Sequence, residues 1–135
     1  MRKQGCINPE IMKTLALCGH GDKILIADGN YPLDAKSGTA EKVYLGVAAG
    51  IPTVTQVLDA ILCEINVEKA EVMLPEDGST PDIFREFSDR LNGIALDALD
   101  RCAFYNACGE NCVRLAVSTG EKRVYANILI TVGVA

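Results

Sequence analysis

A chain of 135 residues is about the size of one domain and is long enough to bury a core without staples. With 49% of its residues hydrophobic and 23% charged, it is not a disordered chain. The net charge of -5 and the pI near 4.8 argue against nucleic acid, and no apolar run approaches the length of a bilayer span.

Met1-Arg2-Lys3 leads into a capped helix with no signal-peptide stretch behind it, so the expected location is cytoplasmic. Asn8-Pro9-Glu10 reads as an N-cap, a proline at the first helical position and an acid that suits the helix dipole. Ile11, Leu15 and Cys18 follow at helical spacing, and Gly19 stands where a helix stops. The apolar run 23–27 predicts a buried strand that ends at Asp28, and Gly29-Asn30-Tyr31-Pro32 is loop chemistry. A second strand is expected over 42–45. Thr53-Val54-Thr55-Gln56 fits a capping box, and its helix presents Val57, Leu58, Ile61, Leu62 and Ile65 on one face.

Glu71–Leu74 predicts a strand ended by Pro75 and an Asp77-Gly78 turn. Thr80-Pro81-Asp82 opens a further helix with Phe84, Phe87 and Leu91 inward and Gly93 at its end. A short helix is expected around Ala103-Phe104-Tyr105. Residues 114–118 and 127–131 read as two strands, joined as a hairpin by a turn at Thr119-Gly120-Glu121-Lys122. The expected fold class is α/β, with residues 1–135 forming a single compact domain and a mixed sheet covered by helices.

The one histidine, His20, lies between two glycines in Gly19-His20-Gly21-Asp22. Imidazole titrates near neutrality and suits proton transfer, although a histidine here also fits a helix-end cap. Asp28 stands at a strand's carboxyl end, where α/β folds favour ligands; it fits equally a carboxylate bonding its own loop. Arg101 and Tyr105 share one face of a helix, as a pair four residues apart does. They read as a cation and a phenol for a ligand, or as a surface arginine over a core tyrosine. Tyr125 and Asn127 supply a phenol and an amide before an apolar strand, groups suited to polyhydroxyl recognition and common also in turns.

The glycines around His20 lack the spacing and the lysine of a phosphate loop. Six cysteines include no CxxC, and the spacings of Cys102, Cys108 and Cys112 match no common zinc site. They read as small buried hydrophobes kept reduced, so neither metal nor cofactor is expected.

These segments, in this order, resemble the fucose mutarotase and ribose pyranase family over nearly the whole chain. The resemblance is carried by Gly19-His20-Gly21-Asp22, Ile24–Asp28 and Pro32, then by Gly50-Ile51-Pro52 with Gln56-Val57-Leu58. Later blocks are Arg101–Tyr105, Thr119-Gly120-Glu121, Tyr125–Leu129 and Gly133-Val134. Gly21 and the Arg-x-Ala-Phe-Tyr pattern look like the fucose branch. Gly50–Thr53, Gln56–Leu58 and Asn66-Val67-Glu68 look like the pyranase branch.

The resemblance implies an isomerase that interconverts the anomers of L-fucose or a related sugar by acid–base ring opening. The alternatives are a D-ribose pyranase or a non-catalytic sugar-binding subunit. It implies His20 as proton shuttle with Asp28 as catalytic partner, and Asp28, Arg101, Tyr105, Tyr125 and Asn127 as sugar-binding groups. It also implies a homo-oligomer, commonly a decamer, with sites near subunit contacts, and a monosaccharide as the partner rather than nucleic acid or membrane.

Overall fold

The computed structural model describes residues 1–135 and contains four helices and six strands. Helix α1 (Pro9–Leu17) begins as its sequence predicts, with the Asn8 side chain accepting from Ile11 N at 3.0 Å. Helix α2 (Val54–Leu62) carries the full capping box: Thr53 Oγ1 accepts from Gln56 N, and Gln56 Oε1 accepts from Thr53 N. Losing such a cap costs about 1 kcal/mol. Helix α3 (Ile83–Arg90) buries Ile83, Phe84 and Phe87. Helix α4 (Arg101–Cys108) is capped by Asp100, which accepts from Ala103 N, and buries Phe104, Ala107 and Cys108.

The strands are β1 (Lys23–Ala27), β2 (Glu41–Tyr44), β3 (Val67–Met73), β4 (Leu96–Leu99), β5 (Val113–Ser118) and β6 (Ile128–Val132). They form one sheet in the order β2-β5-β1-β6-β3-β4. Strand β6 is antiparallel to both of its neighbours, and every other pairing is parallel. The sheet is therefore mixed, as expected.

The expected hairpin between the last two strands does not form. Strand β1 lies between β5 and β6 and pairs with both, so the turn residues 119–122 belong to a longer crossing loop. That loop is held by other segments instead, through Thr119 N to Ala27 O and Gly120 N to Pro52 O. Strand β4 was not expected from the sequence. Its Asp97 and Ala98 are exposed on an edge, and four residues with two apolar ends give little periodic signal.

Both faces of the sheet are covered, which is why Ile24–Ala27 of β1 and Ile128–Ile130 of β6 read as continuous apolar runs. Ile24 and Ile26 of β1 face a core of 22 buried residues shared with α1, α2 and α3. Leu25 and Ala27 face a second core of 12 residues under α4 and the loop after β1. Each fully buried Ile, Leu or Phe contributes about 1.5–3 kcal/mol. The parallel pairings put the carboxyl ends of β1, β3 and β5 at one end of the sheet, where β6 starts. Loops from several elements meet there.

Candidate functional site

A pocket of about 280 Å³ opens at that end of the sheet. Its volume lies below the range of roughly 300–1,000 Å³ usual for drug-sized ligands, so it suits a small molecule. Asp28 enters from the end of β1, Arg101 and Tyr105 from α4, and Tyr125 and Asn127 from the segment before β6. All five residues singled out in the sequence for hydroxyl binding thus line one cavity.

Asp28 is buried and tightly held. Its Oδ1 accepts from Asn30 N and Tyr31 N at 2.8 and 2.9 Å, and its Oδ2 accepts from Ala126 N at 3.2 Å. Both sequence readings of this residue therefore hold at once: it bonds its own loop and it lines a pocket. Burial pushes its carboxyl above the ordinary carboxylate range, and the bonds from Asn30, Ala126, Tyr31 and the Asn127 side chain pull it back. The Asn127 amide oxygen accepts from Asp28 N at 2.8 Å, which ties the end of β1 to the start of β6.

Arg101 occupies the first turn of α4 and is exposed; its Nη2 donates to Tyr125 Oη at 3.3 Å. The phenol therefore accepts from a cation and keeps its own O–H to donate to a ligand. Tyr125 reaches this position in the left-handed region, at φ 59, which is uncommon for a residue with a bulky side chain. Tyr105 stands against Tyr31, edge to face at 5.5 Å between centroids, with Lys36 Nζ 5.4 Å from its ring centre. Tyr31 in turn packs edge-on against Phe104 and donates from its hydroxyl to Lys36 O at 2.7 Å. The result is a rigid aromatic wall on one side of the polar groups.

The pocket also takes in Asn30, Tyr31, Pro32, Met73 and Val124, none of which the sequence singled out as ligand groups. Asn30, Tyr31 and Pro32 were legible only as loop chemistry after Asp28. Met73 and Val124 carry no polar signal; position alone brings them there.

His20 is not in this pocket. It precedes β1, whereas Asp28 follows it, and five strand residues at about 3.3 Å each put roughly 16 Å between the two ends. The imidazole is largely exposed and its Nε2 meets Glu68 Oε2 at 2.8 Å. It lines a separate open groove of about 540 Å³ with Cys18, Asn66 and the last residues of the chain. The helix-end cap that its sequence position also allowed is not made: the ring's hydrogen bond goes to Glu68, and none goes to a carbonyl at the end of α1. Within one chain, then, five of the six residues converge and the histidine faces away.

No cluster of His, Cys, Asp and Glu is arranged to hold a metal ion. The six cysteines are all free, with Cys6 and Cys108 buried, Cys63 and Cys102 exposed, and Cys18 and Cys112 in between. No helix is long and apolar enough to cross a membrane.

The sequence matches the RbsD / FucU transport protein family over residues 1–135. It is 31% identical to a D-ribose pyranase of Geobacillus thermodenitrificans, over 99% of this chain and 98% of that protein. A D-ribose pyranase of Streptomyces coelicolor is also 31% identical, with the same coverage. Among solved structures, Bacillus subtilis RbsD complexed with D-ribose superposes with a TM-score of 0.86 at 26% identity, covering 100% of this chain and 99% of that one. The fucose mutarotase of Streptococcus pneumoniae in complex with L-fucose superposes with a TM-score of 0.83 at 27% identity and the same coverage.

Proposed function

This chain belongs to the RbsD / FucU transport protein family, and we propose that its pocket binds a monosaccharide and opens and recloses the sugar ring by acid–base chemistry. The observation that supports this most directly is the convergence of Asp28, Arg101, Tyr105, Tyr125 and Asn127 on one small cavity. Such a set offers a carboxylate, a cation, two phenols and an amide, in the space of a small ligand.

Ring opening needs a proton delivered to the ring oxygen and one removed from the anomeric hydroxyl. It breaks the bond between the anomeric carbon and the ring oxygen. The open aldehyde rotates about its C1–C2 bond and recloses on the other face, or through another hydroxyl. In this reading Asp28 accepts the proton of a sugar hydroxyl, an act suited to a carboxyl held above its ordinary range. Tyr125 donates its free O–H, Arg101 and Asn127 fix the sugar's orientation, and Tyr105 packs against it. General acid–base catalysis of this kind supplies about 10²–10⁴-fold, and positioning adds to it. The chemistry calls for no metal or redox cofactor.

His20 completes the reading as a proton shuttle supplied by a second copy of the chain. Its exposed imidazole cannot reach Asp28 of its own chain, so a shared site between copies is the arrangement that uses it. A homo-oligomer, as a ring of ten 14.4 kDa chains, goes with this view. So does a cytoplasmic location, since free cysteines belong to a reducing compartment.

The sugar is a question between two candidates. The Arg101–Tyr105 pattern points to α–β exchange of L-fucose. The names of the Geobacillus and Streptomyces relatives point instead to D-ribose and pyranose–furanose exchange. Saturation-transfer NMR over fucose, ribose, galactose and glucose separates them, because each exchange connects different pairs of signals. His20→Ala and Asp28→Asn should each slow exchange, and mixing the two variants after dissociation should restore part of it. A folded His20→Ala protein with undiminished exchange would remove the histidine from the mechanism, and no acceleration on any sugar would remove the enzyme reading.

A further inference from the structure

Glu121 is a buried carboxylate outside the sugar pocket, and the chemistry above does not use it. It lies in the loop between β5 and β6, the stretch that carries Tyr125. Its Oε1 accepts from Arg123 N at 3.2 Å and Arg123 Nε at 3.0 Å, and its Oε2 accepts from Arg123 Nη2 at 3.1 Å. The same Oε2 lies 3.4 Å from Val54 N, at the start of α2, and Glu121 O accepts from Gly29 N at 2.9 Å. Arg123 Nη1 reaches on to Glu86 of α3. One carboxylate thus fastens a crossing loop to a helix start, to its own backbone and, through the arginine, to a second helix.

The segment it fastens has few other restraints. Neither Val124 N nor Tyr125 N donates a hydrogen bond within the chain, and the next anchored residue is Ala126, whose N–H goes to Asp28 Oδ2. Tyr125 is therefore bracketed by two carboxylates, Glu121 through Arg123 on one side and Asp28 through Ala126 on the other. Between them it is held at φ 59, a conformation that a tyrosine does not keep without support.

Resting on the proposed sugar chemistry, we infer that Glu121 is a positioning residue: by clamping Arg123 it holds Tyr125 in its left-handed conformation, with the phenol against Arg101. Asn127 is anchored separately, to Asp28 N, and the Arg101 guanidinium has no hydrogen bond but the one to Tyr125, so the effect runs through the Tyr125 hydroxyl.

The test is a double-mutant cycle on Glu121→Gln and Tyr125→Phe in the full-length protein, read by exchange rate at saturating sugar and by melting temperature. Glutamine keeps the size of the side chain but loses the charge that the guanidinium fork needs. Glu121→Gln alone should slow exchange by roughly 10- to 100-fold, the scale of losing one well-placed group. In the Tyr125→Phe background the same change should cost less than about twofold in exchange, because the hydroxyl it positions is gone. Its effect on melting should persist in both backgrounds, which a purely structural role would not separate from activity. If Glu121→Gln does not fold, Arg123→Lys breaks the fork from the partly exposed side and should show the same pattern. Penalties that multiply across the cycle in a wild type active on sugar overturn the Glu121 inference alone. A wild type inert on every sugar overturns the enzyme reading and this inference with it.

Discussion

Replacing Asp28 with asparagine tests the hydrogen-bond geometry at the centre of the pocket. Oδ1 accepts from two backbone N–H groups, at 2.8 and 2.9 Å, so the amide oxygen of an asparagine must take that place. Its NH₂ group then faces Ala126 N, which donates to Oδ2 at 3.2 Å in the native protein. Two donors meet, one hydrogen bond is lost and a buried N–H is left without an acceptor. The expected cost is about 2–3 kcal/mol, which for a chain of this length lowers the melting temperature by about 6–12 °C.

The penalty carries a pH signature. Burial raises the Asp28 carboxyl above its ordinary value of 3.8, so the native state takes up this proton before the unfolded state does. The wild type therefore gains stability as pH falls through the raised value towards 3.8, and loses that gain as pH rises back through it. The Asp28→Asn variant, with no carboxyl to titrate at this position, has no such contribution. Melting curves followed by circular dichroism should show the gap between the two proteins widening from neutral pH towards about pH 4. Equal melting temperatures at neutral pH, or a gap that narrows on acidification, would refute the reasoning.

Arg101→Ala should leave the fold intact, because the side chain is exposed and bonds only to Tyr125; sugar affinity by calorimetry should fall by about 10- to 100-fold, the scale of a charged hydrogen bond. Phe104→Ala empties a fully buried site in the core beneath α4 and should cost about 3–5 kcal/mol, read as a lower urea midpoint. Thiol labelling counted by mass spectrometry should modify Cys63 and Cys102 of the native protein quickly. Cys108 should react only on unfolding, since burial pushes its thiol up to about 12.

Much of the architecture was legible because local chemistry fixes it. Asn8-Pro9 and Thr53–Gln56 start helices through bonds that need no tertiary partner, and Ile24–Ala27 of β1 and Ile128–Ile130 of β6 are apolar on both faces because both faces are covered. The route between β5 and β6 was not legible. The four residues at 119–122 carry turn chemistry, yet what decides their path is β1, nearly 100 residues earlier in the chain, lying between the two strands.

The pocket divides in the same way. Asp28, Tyr125 and Asn127 were readable because polar groups stand beside apolar strands. Met73 and Val124 enter only because β3 ends, and the crossing loop passes, at the same end of the sheet. The position of His20 follows from nothing more than the length of β1, since a residue before a strand and one after it sit at opposite ends.

The place of β6 has a consequence for synthesis. It is the last of the six strands to leave the ribosome, yet it is the seam that joins β2-β5-β1 to β3-β4. Until Ile128–Val132 arrive, a nascent chain has two half-sheets, each with an unpaired edge strand, β1 and β3, and nothing to unite them. Sheet closure therefore waits for every other strand to be made, and a chain broken off before Ile128 would be prone to aggregate rather than merely less stable.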